Sequence, residues 1–576
     1  MVSREDRVYY EEELRYLDQE AAVFAERFPE IARTLGLHAR DSGMRDPHAE
    51  RIIESFAFLT GKLNRYLNAQ YPELVHSLFE LIYPQYLQPQ PARTIVQFTP
   101  QQSMLDKPVL VPSGTELYAN GLGPNGERYT FTTCWDLWIQ PVELERLWVD
   151  PDAPGDYTRS IVLRLHPGAD AGALEWDKLE FGIYGDPSTM YELFLQFAEN
   201  INGISLKGIP TQPGDLELEW SGFQGNHDYE IHDKGRLGQL HLLRDYYLYP
   251  FRFFFFRIKG LQAILGKLED VQEVQVDFRF NRPMATGIVI ETKNIRLHAC
   301  VAQNLYKIDC EPFKIDNLRP EFPVIPDSTR ADIEVHSVDE VIASYEQDQE
   351  TVRPYYHFGV KTLNAPRQWF YMHRRDKAID RGWDFYIRFI DMDHEGPGAL
   401  QNQVISIRAN CTNRHFAQKL KMDQLNRISN KIPETIQVRN IAPASQAFWP
   451  PLHSVNEWDF LAHLALDYKE LTDIDALRTL LALYNYGKSE AGARKIQGIH
   501  EIGIDRDYVV KQGCCVLGQK MELGADSSYF PAVGDIALFT RVFGHFLQGY
   551  CPINSFFKLT VTESTTKNQF HWTAWG

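Results

Sequence analysis

The sequence predicts an α+β protein of several domains: a helical N-terminal segment over residues 1–92, a β-rich middle over 93–342 (room for two subdomains), and a mixed α/β region over 343–576. Three observations predict it. Apolar residues recur in steps of three and four along roughly the first 90 positions. From Thr94 the chain changes to short β-prone runs separated by Gly and Pro. Helical stripes then return in the last third, and 576 residues leave room for about three or four domains.

The helices come first. Leu14, Leu17, Ala21, Phe24, Phe28 and Ile31 fall on one stripe close to a heptad seam, and Pro29 predicts a break after Phe28. Asp46-Pro47 reads as an N-cap followed by Pro at the first helical position. The helix it opens carries Ile52, Phe56, Leu59, Leu63 and Tyr66 in steps of four and three. Pro72 predicts a third segment bearing Leu74, Leu78, Leu81 and Ile82, ended by Pro84, Pro89 and Pro91. Such stripes pack either within their own bundle or against helices of other chains, and periodicity alone does not choose.

Short strands are expected at Thr94–Phe98, Glu116–Tyr118, Tyr129–Thr133, Ser160–Leu165, Leu179–Tyr184, Val274–Phe280 and Ile288–Glu291, with a helix over 188–199 among them. Tyr246–Arg257 is almost wholly aromatic and reads as a buried strand, although four adjacent Phe cannot share one face of an extended chain. The polar stretch 343–353 reads as a loop or boundary. Strands at Trp383–Ile390 and Val404–Ala409 precede helices at Glu457–Leu466, Asp473–Tyr484 and Ile536–Leu547.

Composition narrows the function. At 44% apolar, 24% charged and 13% aromatic, the chain is neither disordered nor fibrous. Its net charge of −18 disfavours a general nucleic-acid role, which needs basic residues to neutralise phosphates. Seven scattered cysteines with no CxxC pair argue against a disulfide framework or zinc ribbon and fit a reducing compartment. The start MVSREDR lacks the apolar core of a signal peptide, and no run of about 18 apolar residues occurs. A cytoplasmic protein is expected, without direct membrane insertion.

Motifs for chemistry are weakly framed. Gly121-x-Gly123-x-x-Gly126 has the dinucleotide string but sits between two strands, where turn chemistry explains it. Gly487-Lys488-Ser489 lacks the earlier glycine of a phosphate loop, Ala482 standing in its place. Asp391, Asp393, Glu395 and Gly396 match the start of a calcium loop whose twelfth position is Asn402. His453 and His463 lack an evident third ligand, and no HExxH or GxSxG occurs. A spatial Cys–His dyad stays open, so a cytoplasmic hydrolase is the alternative from a different class.

Several strings, in order along nearly the whole chain, resemble the TssF (ImpG/VasA) family of type VI secretion baseplate subunits. They are Tyr9–Leu14, Phe24–Pro29, Asp46–Leu59, Tyr71–Leu74 and Leu81–Leu87, followed by Val111–Thr115 with Tyr129–Cys134. Leu243–Tyr247, Pro250–Phe253, Asn304–Tyr306, Glu334–Val338, Cys411–Arg414, Trp458–Leu466 and Tyr550–Phe556 continue the series. Asp245 and Tyr306 depart from the expected Glu and Phe. The Val111–Cys134 pair also resembles phage baseplate wedge proteins, which makes a contractile phage or phage-like particle the nearer alternative.

The resemblance implies a structural role with no catalytic, cofactor or metal residues. It implies two copies joined to one TssG as a wedge core, with TssK and TssE attached and six wedges around the VgrG hub. That ring carries tail-tube and sheath assembly, takes part in triggering contraction, and lies in the cytoplasm against the inner membrane. The candidate partner-interface residues are Leu14, Leu17, Phe24, Phe28, Ile52, Phe56, Leu59 and Leu63.

Overall fold

A computed structural model describes residues 4–34, 47–101, 105–121, 123, 126–149, 157–223, 239–268, 271–316, 319, 321–345, 348–354, 368–376, 382–391, 403–429, 432–450, 459–460, 463, 473–485, 487–511 and 514–575. Contacts divide the chain into two compact units, the first essentially the stretch up to Leu87 and the second nearly all the rest.

The first unit is helical. Helix α1 spans Arg4–Arg27, α2 Pro29–Thr34 and α3 Pro47–Ile82, with a short 3-10 turn at Pro84–Leu87. Pro29 opens α2, as its lost N–H and fixed φ favour. Pro72 does not start a new helix: α3 runs through it unbroken. A proline inside a helix forfeits one backbone hydrogen bond, and the 36-residue α3 tolerates that loss. The stretch ends in a stacked pair, Phe79 and Tyr86, with ring centroids 4.3 Å apart.

The second unit is built on sheets. A six-stranded antiparallel sheet runs in the order Arg427–Ile428, Glu116–Ala119, Tyr129–Thr133, Ala299–Gln303, Arg93–Pro100, Ile436–Asn440. Its core includes Val96, Phe98, Leu117, Phe131, Trp135, Cys300 and Leu425. Two four-stranded sheets accompany it, one containing Phe255–Lys259 and the other Thr158–Leu165 and Glu273–Phe280. Helix α4, Pro187–Glu199, is capped by Asp186, whose carboxylate accepts from the Thr189 N–H at 3.0 Å.

The aromatic run is not a single strand. Helix α5 covers Leu240–Leu248, a 3-10 turn covers Pro250–Phe254, and only then does a strand begin at Phe255. The change of backbone spreads Phe253, Phe254, Phe255 and Phe256 over different directions, and all four are buried. Ile288–Glu291 is not a strand either; it leads into a 3-10 turn at Thr292–Asn294. A short helix, α6, at Leu261–Leu265 directly follows the strand that begins at Phe255.

Between Gln303 and Asn413 the chain makes two further sheets with a separate core around Ile333, Val341, Ile387, Ile405 and Ile407. The expected loop at 343–353 instead contributes strand residues on both sides of a hairpin, with Ile342 opposite Thr351 and Tyr345 opposite Asp348. The chain enters and leaves this region at two buried asparagines. Asn304 Nδ2 donates to Asn413 Oδ1 at 2.8 Å, and the Asn413 N–H donates back to Asn304 Oδ1 at 2.6 Å.

The C-terminal part holds helices α7 (Ile474–Tyr484), α8 (Glu490–Gln497) and α9 (Val533–Gln548). Its sheet has the strand order Ile499–Lys511, Cys514–Ala525, Phe556–Glu563, Gln569–Trp575. The middle two strands are parallel, and α9 is the crossover that parallel pairing requires. Most of the expected helix at 457–466 lies outside the described residues. Helix α9 approaches α4 closely because Gly534 has no side chain: a Cβ there would sit 1.9 Å from the Tyr191 carbonyl oxygen.

Candidate partner interface

Helices α1 and α3 pack on each other, with Tyr10 and Phe58 meeting edge-on at 6.5 Å. On α3, Ala57 and Gly61 are buried. The face carrying the sequence stripe is left outside: Ile52 is 69% exposed, Phe56 55% and Leu59 63%. Positions 52, 56 and 59 are one turn apart, so the three side chains form a continuous apolar strip. Of the other candidates, Leu14, Leu17 and Phe24 are half-buried and Phe28 is exposed, its ring 5.3 Å from that of Phe24. The Leu63 side chain lies outside the described residues. An amphipathic helix normally turns its apolar stripe inward, whereas Ile52, Phe56 and Leu59 are left exposed.

The second unit holds two buried carboxylates, Asp245 and Glu334. Asp245 on α5 is fully buried and accepts from Arg93 at 3.0 Å, from Arg252, and from Arg244 at 3.4 Å. Burial alone would raise its pKa, but Arg93, Arg244 and Arg252 outweigh that and hold the carboxyl well below the usual carboxylate range. Arg93 lies on a central strand and Arg252 in the 3-10 turn, so the carboxylate ties three elements together.

Glu334 is also buried. It accepts from the Trp383 N–H and from Trp449 Nε1 at 3.0 Å, and burial, opposed by Arg414, pushes its pKa up to about 7. These groups lie in sealed positions and bind one another, which suits structural pinning rather than chemistry on a substrate.

The sequence motifs find structural homes. Gly121 and Gly126 have positive φ in the connection between strands Glu116–Ala119 and Tyr129–Thr133, as turn glycines do. Ser489 caps α8, accepting from the Gly492 N–H at 3.0 Å. His463 is buried against Tyr484 at 2.9 Å and Tyr550 at 3.2 Å; His453 lies outside the described residues, as do Asp393, Glu395, Gly396 and Asn402. Cys134, Cys300, Cys310 and Cys411 are buried, while Cys515 is exposed. No cluster of His, Cys, Asp or Glu suited to a metal occurs among the described residues.

The buried Asp245 cluster was not legible as a site in the sequence. Its only local signal is an Arg-Asp pair inside an aromatic run, and Arg93 is 152 positions away.

Comparisons with known proteins define the class, a component of the type VI secretion system, and then the family. The chain matches the family described as "Type VI secretion system, TssF" over residues 3–575, so it belongs to the TssF family. It is 27% identical over 623 residues to type VI secretion system component TssF1 of Pseudomonas aeruginosa, covering 98% of each chain. It shares its fold with a chain of a solved TssK-TssF-TssG baseplate subcomplex, at TM-score 0.78 and 23% identity, covering 91% of this chain and 98% of the other. A chain of the type VI secretion baseplate complex matches at TM-score 0.61 and 18% identity, covering 98% of both.

Proposed function

We infer that this chain is a non-catalytic structural subunit of the type VI secretion baseplate, and that the α3 stripe is one of its assembly surfaces. Two copies join one TssG as a wedge core; TssK and TssE attach, and wedges close around the VgrG hub. The assembled ring supports tail-tube and sheath growth and passes on the change that triggers contraction. Its place is the cytoplasmic side of the membrane-docked apparatus.

The observation that carries this reading is the exposure of Ile52, Phe56 and Leu59 on one face of a long helix. Helices of a TssG-like chain and of a second copy are the natural cover, because helix on helix buries an apolar strip with no backbone group left unpaired. Family membership and the neighbouring baseplate folds support it. Co-expression with the host's TssG-like protein tests it: the wild-type chain co-purifies, and a chain with a charge in the stripe does not. Equal recovery of both would overturn the assignment of the surface.

A further inference from the structure

A groove of about 310 Å³ opens in the second unit where three sheets meet, with walls from residues 97–100, 142–144 and 295–298. Two strands along it, Val142–Trp148 and Ile295–Leu297, are the end strands of their sheets, and so is Ile436–Asn440 beside residues 96–100. An end strand carries a row of backbone N–H and C=O groups with no ladder partner.

Four charged side chains lie in or beside the groove. Glu143 is paired with His166 at 3.2 Å and Lys293 with Glu291 at 2.5 Å. Arg296 and Arg439 differ: among the described residues, neither guanidinium has a carboxylate or hydrogen-bond partner. Arg439 stands directly across the strand pair from Gln97, whose Nε2 donates to the Leu297 carbonyl at 3.3 Å, so both arginines belong to one side of the groove. Arg296 is half-buried and its guanidinium is steadied 6.0 Å over the Tyr184 ring. Its Nε is sealed, while its Nη groups keep accessible surface. Burial, and after it the charge of Arg439, lower the pKa of Arg296, so the two cations stand close enough to repel. An oxyanion between them would remove that repulsion.

We propose that this groove docks an extended segment of a partner protein bearing a Glu or Asp, whose carboxylate is held between Arg296 and Arg439. The arginine pair selects an oxyanion, because a planar guanidinium donates two parallel N–H bonds to one. The strand edges select an extended polypeptide as its bearer, through backbone hydrogen bonds. Glu143 repels a second carboxylate and confines the acid to the arginine side. A free anion is disfavoured, since the chain's net charge of −18 repels it at long range, whereas a carboxylate on a docked partner arrives at high effective concentration. That the bearer is a baseplate partner rests on the assembly reading above.

The test has two arms, both on the full chain. In the first, a capped Val-Thr-Glu-Thr-Val peptide, its glutamine counterpart and inorganic phosphate are titrated at low salt into wild type, Arg296→Gln, Arg439→Gln and Lys293→Gln, with binding read by calorimetry or ligand-observed NMR. The glutamate peptide is expected to bind wild type about tenfold more tightly than the glutamine peptide, the worth of a hydrogen bond to a charged group. Either arginine variant removes that preference, and Lys293→Gln, whose ammonium is already paired, keeps it. No saturable binding below about 10 mM, no preference for glutamate, or tighter binding of phosphate than of the peptide overturns the docking site, the last leaving a small-anion site.

In the second arm, Arg439→Glu is co-expressed with the TssG-like and TssK-like proteins once its melting temperature is shown to match wild type; Arg439 is exposed, so the fold tolerates the reversal. At least a fivefold loss of complex relative to wild type supports the partner-borne carboxylate. Undiminished complex overturns it. Failure of the wild-type complex to form speaks instead against the assembly reading, so the two failures are distinct.

Discussion

Phe56→Asp tests the proposed assembly surface separately from the fold. Phe56 is 55% exposed, so its ring contributes little to the chain's own core. An aromatic side chain buries about 150–250 Å² when covered, which leaves roughly 100 Å² of Phe56 for a partner. At about 25 cal/mol per Å² that surface is worth about 2.5 kcal/mol, or about 70-fold in affinity. Aspartate removes this and adds a carboxylate that burial at the interface would penalise by several kcal/mol more. The assay is recovery of a TssG-like chain on the tagged protein at matched expression, beside thermal melting of the isolated variant. Complex is expected to fall below a tenth of wild type while the melting temperature stays within about 2 °C, since exposed substitutions change stability by about 0.5 kcal/mol or less. Phe24→Asp is expected to block assembly too, but Phe24 is half-buried and this variant also loses stability. Wild-type recovery of Phe56→Asp would refute the reasoning.

Three further outcomes concern the body of the protein. Asp245→Asn deprives Arg93, Arg244 and Arg252 of their shared carboxylate and is expected to cost about 3–5 kcal/mol, read as a lower urea midpoint. Glu334 has its pKa raised from 4.5 to about 7, so the folded state holds its proton more tightly than the unfolded one. Its contribution is therefore complete below about pH 4.5 and is lost as pH rises through 7, about 3 kcal/mol in all. Glu334→Gln is expected to flatten the stability profile across that window, as measured by urea unfolding at stepped pH. Gly534→Ala pushes a methyl group against the Tyr191 carbonyl and is expected to lower stability by about 1–3 kcal/mol in thermal melts.

The elements that local pattern determines were legible. The helices expected at 188–199, 473–484 and 536–547, and the strands at Thr94–Phe98, Glu116–Tyr118 and Tyr129–Thr133 of the central sheet, follow from patterns that act over a few residues. Where neighbours far along the chain decide, the pattern misled. Pro72 looks like a helix start, yet α3 continues through it. The aromatic run reads as a strand because side-chain type dominates propensity, while Asp245 and its arginines hold the first half helical.

The long hairpin of Ile499–Lys511 and Cys514–Ala525 was missed. On its outer half Tyr508, Val510 and Leu517 share one face that is exposed although apolar, so the sequence there shows no apolar–polar alternation. Of the candidate interface, Ile52, Phe56 and Leu59 were readable as one face, but that the face looks away from α1 is a property of the packed helices. The arginine groove was invisible in the sequence, since Arg296 and Arg439 approach each other only in the fold.

The most direct test of the central claim is the intact mass of the complex that the tagged wild-type chain forms in its own host while the secretion genes are expressed. The account predicts a particle containing TssG-like and TssK-like proteins, at a mass that fits two copies of this chain for each TssG. A monomer of 66.6 kDa under those conditions would contradict it.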